Sequence, residues 1–320
     1  MVAATYNGLY KSESGYRAIM TWYDGLVDKM EFPHESIFVD TAFGKTHMIA
    51  AGDIAAEPMF LIPGVAGSAP LWRRQLKDLS KNHRVYALDM LGQPGRSEGR
   101  PLSYLNDDFV HWLTAVMDEL NIAKANVVGA SVGGWVALRS GIVAPERINK
   151  SVMLGPTGIC RARLPIKIWL TKVLGNSSSA DVLENDLTAK SIAAKGKKGT
   201  FGTFDRQLAR AMSLATKHFR VDRSVGIYNE QTGRINPVAS AKVLRRFFMA
   251  ESAHSLRSFA VPGLIILGQH ETLYNPVKMG QKARRLMPDV RVEVVPNAGH
   301  AAMYDRPEVA NQIIDDFLRP

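Results

Sequence analysis

Short apolar, β-branched runs alternate along the chain with longer segments whose apolar residues recur every three to four positions. That alternation is the pattern of strands and covering helices in a mostly parallel sheet. The runs predict strands over Ser36–Thr41, Thr46–Ala50, Met59–Ile62, Val85–Asp89, Asn126–Gly129, Ser151–Leu154, Gly263–Leu267 and Arg291–Val295. Helices are predicted over Pro70–Ser80, Asn106–Leu120, Val132–Val143, Val277–Leu286 and Arg306–Leu318. In Asn106–Leu120, Phe109, Leu113, Val116, Met117 and Leu120 share one face, which should lie against the sheet. Asn106 is placed to cap that helix, with Asp107 and Asp108 favourable in its first turn.

The alternation stops near Gly155 and resumes at Ala260-Val261-Pro262-Gly263. Between them lie helical stretches such as Gln207–Phe219 and Ala239–Ala250, and no clear apolar strand. This predicts an all-helical insertion, a cap over residues 156–258, in a core domain formed by 1–155 and 259–320. Its aromatics Trp169, Phe201, Phe204, Phe219, Phe247 and Phe248 are candidates for an apolar pocket wall, or for packing within the cap.

Composition narrows the class. With 320 residues, 46% hydrophobic and 22% charged, the chain is globular and not low-complexity. The single cysteine, Cys160, excludes an internal disulfide. No apolar run reaches the ~18–20 residues that span a bilayer. No basic segment followed by an apolar run opens the chain, so a cytoplasmic location is expected. The net charge of +10 is uneven: residues 156–258 hold 18 Lys+Arg and 7 Asp+Glu, a balance of +11, and the remainder balances to −1. A solvated helical face is the plainer reading of that excess; the sharper one is a surface for an anionic partner such as an acidic carrier protein. Nucleic acid is disfavoured, because Lys195-Gly196-Lys197-Lys198 has no interleaved aromatics.

The most specific motif is Gly129-Ala130-Ser131-Val132-Gly133, G-x-S-x-G between an apolar strand and an amphipathic segment. A tight strand-to-helix turn lifts the Ser131 hydroxyl above the sheet edge and requires small residues two positions either side. The same turn aims the Val132 N–H, at a helix start, toward negative charge forming nearby. A serine hydroxyl needs a base and a group to orient that base. His300, in the small-residue loop Asn297-Ala298-Gly299-His300-Ala301 after the last strand, is the candidate base. Glu271, the first carboxylate after the strand Gly263–Leu267, is the candidate orienting acid. The turn Pro63-Gly64-Val65-Ala66 offers the Val65 N–H as a second oxyanion donor, each donor contributing ~3 kcal/mol. His34, His47, His83, His111, His218 and His254 read as surface or packing histidines.

The order Ser131, Glu271, His300 resembles the α/β-hydrolase fold superfamily. Asp89-Met90-Leu91-Gly92-Gln93-Pro94-Gly95-Arg96-Ser97 resembles its D-x-x-G-x-G-x-S stretch, and Asn297-Ala298-Gly299-His300 its histidine loop. Phe43-Gly44-Lys45-Thr46-His47, Gly268-Gln269-His270-Glu271 and Met287-Pro288-Asp289-Val290 are similar to bacterial carboxylesterases of the naproxen-esterase type. Two departures are Pro63-Gly64, where relatives often have His-Gly, and Glu271, where most have aspartate. The resemblance implies an eight-stranded, mostly parallel sheet and a serine hydrolase acting on small-molecule carboxylic esters through an acyl-enzyme. No metal or organic cofactor is called for. Carbon–carbon bond hydrolase, lactonase and acyltransferase chemistry stay open, as does a non-catalytic ligand-binding protein on the same fold.

Overall fold

The computed structural model describes residues 8–163, 205–229 and 231–319. Strands β1 (Glu35–Thr41) and β2 (Gly44–Ala51) form a hairpin whose two-residue turn forces antiparallel pairing. From β3 (Pro58–Ile62) onward, strands alternate with helices: α2 (Arg73–Leu79), β4 (Arg84–Leu88), α3 (Asp108–Glu119), β6 (Ala125–Ala130), α4 (Val132–Val143) and β7 (Ile148–Leu154). A two-residue strand, β5 (Glu98–Gly99), pairs with β2 off the main path. The sheet runs β1-β2-β4-β3-β6-β7-β10-β11, completed by β10 (Gly263–Gly268) and β11 (Val290–Val295). All eight predicted strands are present, each within two residues at most boundaries, and the pairings from β4 across to β11 are parallel.

Successive residues of the central strands alternate between two cores because strand side chains alternate faces. Val127, Met153, Ile265 and Leu267 join the core under α3, α4 and α9 (Pro276–Leu286). Val128, Leu154, Leu264 and Ile266 join the core under α2 and α11 (Pro307–Leu318). The predicted apolar face of α3 is the observed one: Phe109, Leu113, Val116 and Met117 are buried. Its cap is a correction. Asp107, not Asn106, holds the N-cap position, since the helix begins at Asp108, and the Asp107 carboxylate makes no cap bond because it is turned to Arg139 at 2.6 Å. Asn106 Oδ1 instead accepts from the Asp108 N–H at 3.2 Å. The predicted helix Pro70–Ser80 begins as a 3-10 turn, Ala69–Trp72, before α2.

The longest helix outside the predicted set has 15 residues. In α1 (Glu13–Val27), Ser12 caps the Gly15 N–H, and Ile19, Met20, Tyr23 and Leu26 are buried. Gly15 faces His218 of α5 (Arg206–His218), so this helix covers inserted chain as well as the core. The described part of the insertion holds α5, α6 (Val221–Ser224), α7 (Pro237–Phe248) and α8 (Ala253–Arg257). It is not all-helical. Two-residue strands β8 (Tyr228–Asn229) and β9 (Arg234–Ile235) pair antiparallel, held by Asn229 Oδ1 accepting from the Gln231 and Thr232 N–H groups. Trp169, Phe201, Phe204 and Lys195-Gly196-Lys197-Lys198 lie outside the described residues, as do the side chains of Phe247 and Phe248. Phe219 is buried against Tyr10. Among the described residues no helix is long and apolar enough to cross a membrane. A short α10 (Ala302–Asp305) follows β11.

Candidate active site

The carboxyl ends of β3, β6, β7, β10 and β11 converge on one edge of the sheet. Ser131 sits between β6 and α4 with φ 54° and ψ −109°, a backbone region that non-glycine residues rarely occupy. The turn is dense enough to dictate its neighbours: a Cβ on Gly129 would strike the Gly133 carbonyl, and one on Gly133 would strike the Ile62 carbonyl. The Ser131 N–H donates to the Leu154 carbonyl at 2.8 Å, and its own carbonyl accepts from Trp135 and Thr157 N–H groups at 3.1 and 3.2 Å. Val132 is the first residue of α4, where a backbone N–H has no acceptor within the helix.

Glu271 and His300 meet. The Glu271 Oε2 lies 2.8 Å from His300 Nδ1, and Oε1 accepts from the Leu273 N–H at 2.8 Å. Both side chains are largely buried, at 8% and 9% exposure. The loop carrying His300 is pinned to the loop after β10: the His270 N–H donates to Ala298, and Gln269 Oε1 accepts from the Asn297 N–H. Asp305 accepts from the Gly299 N–H at 2.8 Å. The imidazole lies over Gly155, where a Cβ would be 3.1 Å from Nδ1 and Cε1, at a φ of 52°. Since Gly155 follows Leu154, whose carbonyl holds the Ser131 N–H, serine and imidazole share the end of β7.

Burial of His300 disfavours its charged form, but the Glu271 charge and hydrogen bond, helped by Asp305, outweigh that and raise its pKa above the ordinary histidine value. Tyr274 packs 6.2 Å from His300, ring to ring, and its buried hydroxyl has no partner among the described residues.

Across the edge, Gly64 closes on the serine: a Cβ there would be 3.3 Å from Ser131 Cβ. In this turn the Ala66 N–H is taken by Gln93 Oε1 at 2.8 Å, the Gly67 N–H by Gly64 and the Ala69 N–H by Asp89. The Val65 N–H has no acceptor among the described residues. Gln93 also donates to Tyr104 and to Ser224 of the insertion, at 3.1 and 2.6 Å. No periodicity signals Gln93 or Asp305, because each serves a loop that exists only in the fold. Among the described residues no group of three or more His, Cys, Asp or Glu is arranged to hold a metal. Of the remaining histidines, His83 is buried 3.8 Å from Asp315, and His47 is fully buried in a hydrogen-bonded cluster remote from Glu271.

A strained serine at a strand–helix elbow and an imidazole held by a carboxylate, on the edge of a mostly parallel sheet, define the serine hydrolases of doubly wound α/β type. The chain belongs to the α/β hydrolase fold family, whose model matches residues 57–307. It is 28% identical over 307 residues to the protein named Uncharacterized carboxylesterase nap of Bacillus subtilis (strain 168), covering 96% of this chain and 94% of that one. The crystal structure of naproxen esterase (carboxylesterase NP) from Bacillus subtilis superposes with a TM-score of 0.75 at 26% identity, over 96% of this chain and 99% of that one. That of carboxylesterase CesB (YbfK) from Bacillus subtilis gives 0.77 at 24% identity, over 95% and 98%.

Proposed function

We propose that the chain hydrolyses small-molecule carboxylic esters through a covalent acyl-serine. His300 Nε2 takes the proton of Ser131 Oγ as that oxygen attacks the ester carbonyl. Glu271, on Nδ1, fixes the ring tautomer and stabilises the imidazolium. The Val65 and Val132 N–H groups donate to the oxyanion. The imidazolium then protonates the departing alcohol, and water repeats the sequence on the acyl-enzyme. The observation that carries this reading is the 2.8 Å contact between Glu271 and His300, at the end of β7 beside a backbone-strained serine. The carboxylesterases matched over 96% of this chain favour ester over carbon–carbon cleavage. In this reading residues 1–155 and 259–320 supply the chemistry, and 156–258 form the cap over the acyl and alcohol groups.

Ser131→Ala should lower kcat for p-nitrophenyl esters on the order of 10⁶-fold with the circular dichroism of the fold retained. Wild-type protein treated with a fluorophosphonate should carry the label on the peptide containing Ser131. Undiminished turnover by the alanine variant would sink the proposal, and cleavage of a ring-fission diketone in preference to esters would redirect it.

A further inference from the structure

A second hydroxyl, imidazole and carboxylate are linked outside this site. Ser36 Oγ lies 2.8 Å from His47 Nε2, and His47 Nδ1 lies 2.8 Å from Asp89 Oδ2. The tautomer follows from the carboxylate's other partners. Asp89 Oδ2 also accepts from the Tyr23 hydroxyl and the Arg96 N–H, both at 2.9 Å, and Oδ1 from the Ala69 N–H at 2.7 Å. A carboxylate ringed by donors is an acceptor, so Nδ1 carries a proton, and in the neutral imidazole Nε2 is then an acceptor facing Ser36. The Ser36 hydroxyl therefore donates into a base whose orientation is fixed from behind.

Burial differs sharply along this line. His47 and Asp89 have 0% exposure, whereas Ser36 is exposed on β1, the edge strand of the sheet. Phe38, two residues on and on the same face, lies 4.7 Å from the His47 ring and lines a cavity of about 250 Å³. Tyr16, Met20, Asp24 and Arg96 also line it, and the last two are paired at 2.6 Å. Phe38 thus links the strand that carries Ser36, and the ring of His47, to this cavity. Ser36 is in extended strand and not at a helix start, so it lacks the helix N-terminal donors that assist Ser131.

We propose that Ser36 is a second nucleophilic hydroxyl, activated by His47 and Asp89, which accepts an acyl or phosphonyl group from an activated donor. With a fluorophosphonate, Ser36 Oγ forms the bond to phosphorus, the P–F bond breaks, and His47 Nε2 takes the hydroxyl proton while fluoride leaves. Without a helix-start oxyanion site the adduct persists, so the site is modified once per chain and does not turn over.

The test uses full-length Ser131→Ala protein and a small alkyl fluorophosphonate, read by intact mass and peptide mapping. One adduct should form at Ser36 about 100-fold faster than at the exposed Ser14, and Ser36→Ala should remove it. Independently, Ser36→Cys should react with iodoacetamide at neutral pH about tenfold faster than Asp40→Cys, the next-but-one position on the same strand face. No adduct at Ser36, or equal rates for the two cysteines, would overturn the proposal. Both readings are made at the Ser36 position without Ser131, so they stand or fall separately from the ester hydrolysis assigned to Ser131.

Discussion

Two carboxylates act on His300 from different distances. Glu271 touches Nδ1, while Asp305 acts through its charge and by holding the Gly299 N–H. Together they raise the pKa of a buried imidazole that burial alone would lower. In the proposed mechanism His300 must be neutral to accept the Ser131 proton, so activity should fall as pH drops through the raised value. The acid limb of kcat/KM should accordingly lie above ~6.5, the unperturbed histidine pKa. Glu271→Gln removes the charge that lifts it, so the limb should move to lower pH, with kcat reduced on the order of 10⁴-fold. A pH–rate profile of the two proteins checks both. The sign for stability is the opposite one: the raised pKa stabilises the fold fully at pH below the unfolded histidine value, and this is lost as pH rises through the folded value. Glu271 and His300 were legible because each is the first suitable group after an apolar strand. Asp305 was not, since its role depends on a loop folding back over it.

The elements follow their periodicity closely where they rest on the sheet. Leu113 is fully buried in α3, so Leu113→Ala should cost about 2–5 kcal/mol in a urea titration without changing the acid limb of activity. The elbow gives a different outcome. Gly133→Ala places a methyl on the Ile62 and Pro63 carbonyls, backbone atoms that cannot move aside without shifting β3. Overpacking of this kind costs about 1–3 kcal/mol, and here it should lower kcat as well, because the same turn sets Ser131. Helix α1 escaped the pattern for a physical reason: part of its buried face meets α5 and not a strand, so no strand beside it in sequence announces it. The hairpin β8–β9 escaped because two residues per strand are too few for alternation to register.

For the molecule as a whole, the joint between core and insertion rests on buried charge. The Glu251 side chain is 8% exposed and accepts from Trp135 Nε1 of α4 at 3.1 Å and from Arg246 of α7 at 2.8 Å, while its N–H donates to the Gly158 carbonyl. Arg139 of α4, 3.9 Å from the same carboxylate, ties it to Asp107 at the start of α3. Removing one partner of such a cluster strands the others, so Glu251→Ala should destabilise the chain by about 3 kcal/mol in urea unfolding, well beyond Asp118→Ala at an exposed pair. Gln93 makes a second joint, from the Ala66 N–H of the Val65 turn to Ser224 of the insertion. The order of strands and helices foretold neither joint.

By itself the sequence determined the alternation, the eight strand positions, the elbow and the two residues after β10 and β11. Each of these is written in local periodicity or in residues that a tight turn demands. Tertiary structure alone decided which other side chains meet: Gln93 with Ser224, 131 positions apart, and Ser36 with His47 and His47 with Asp89, 11 and 42 apart. Such meetings depend on strand order and loop closure, which bring distant segments to one edge and leave no local trace in composition or period.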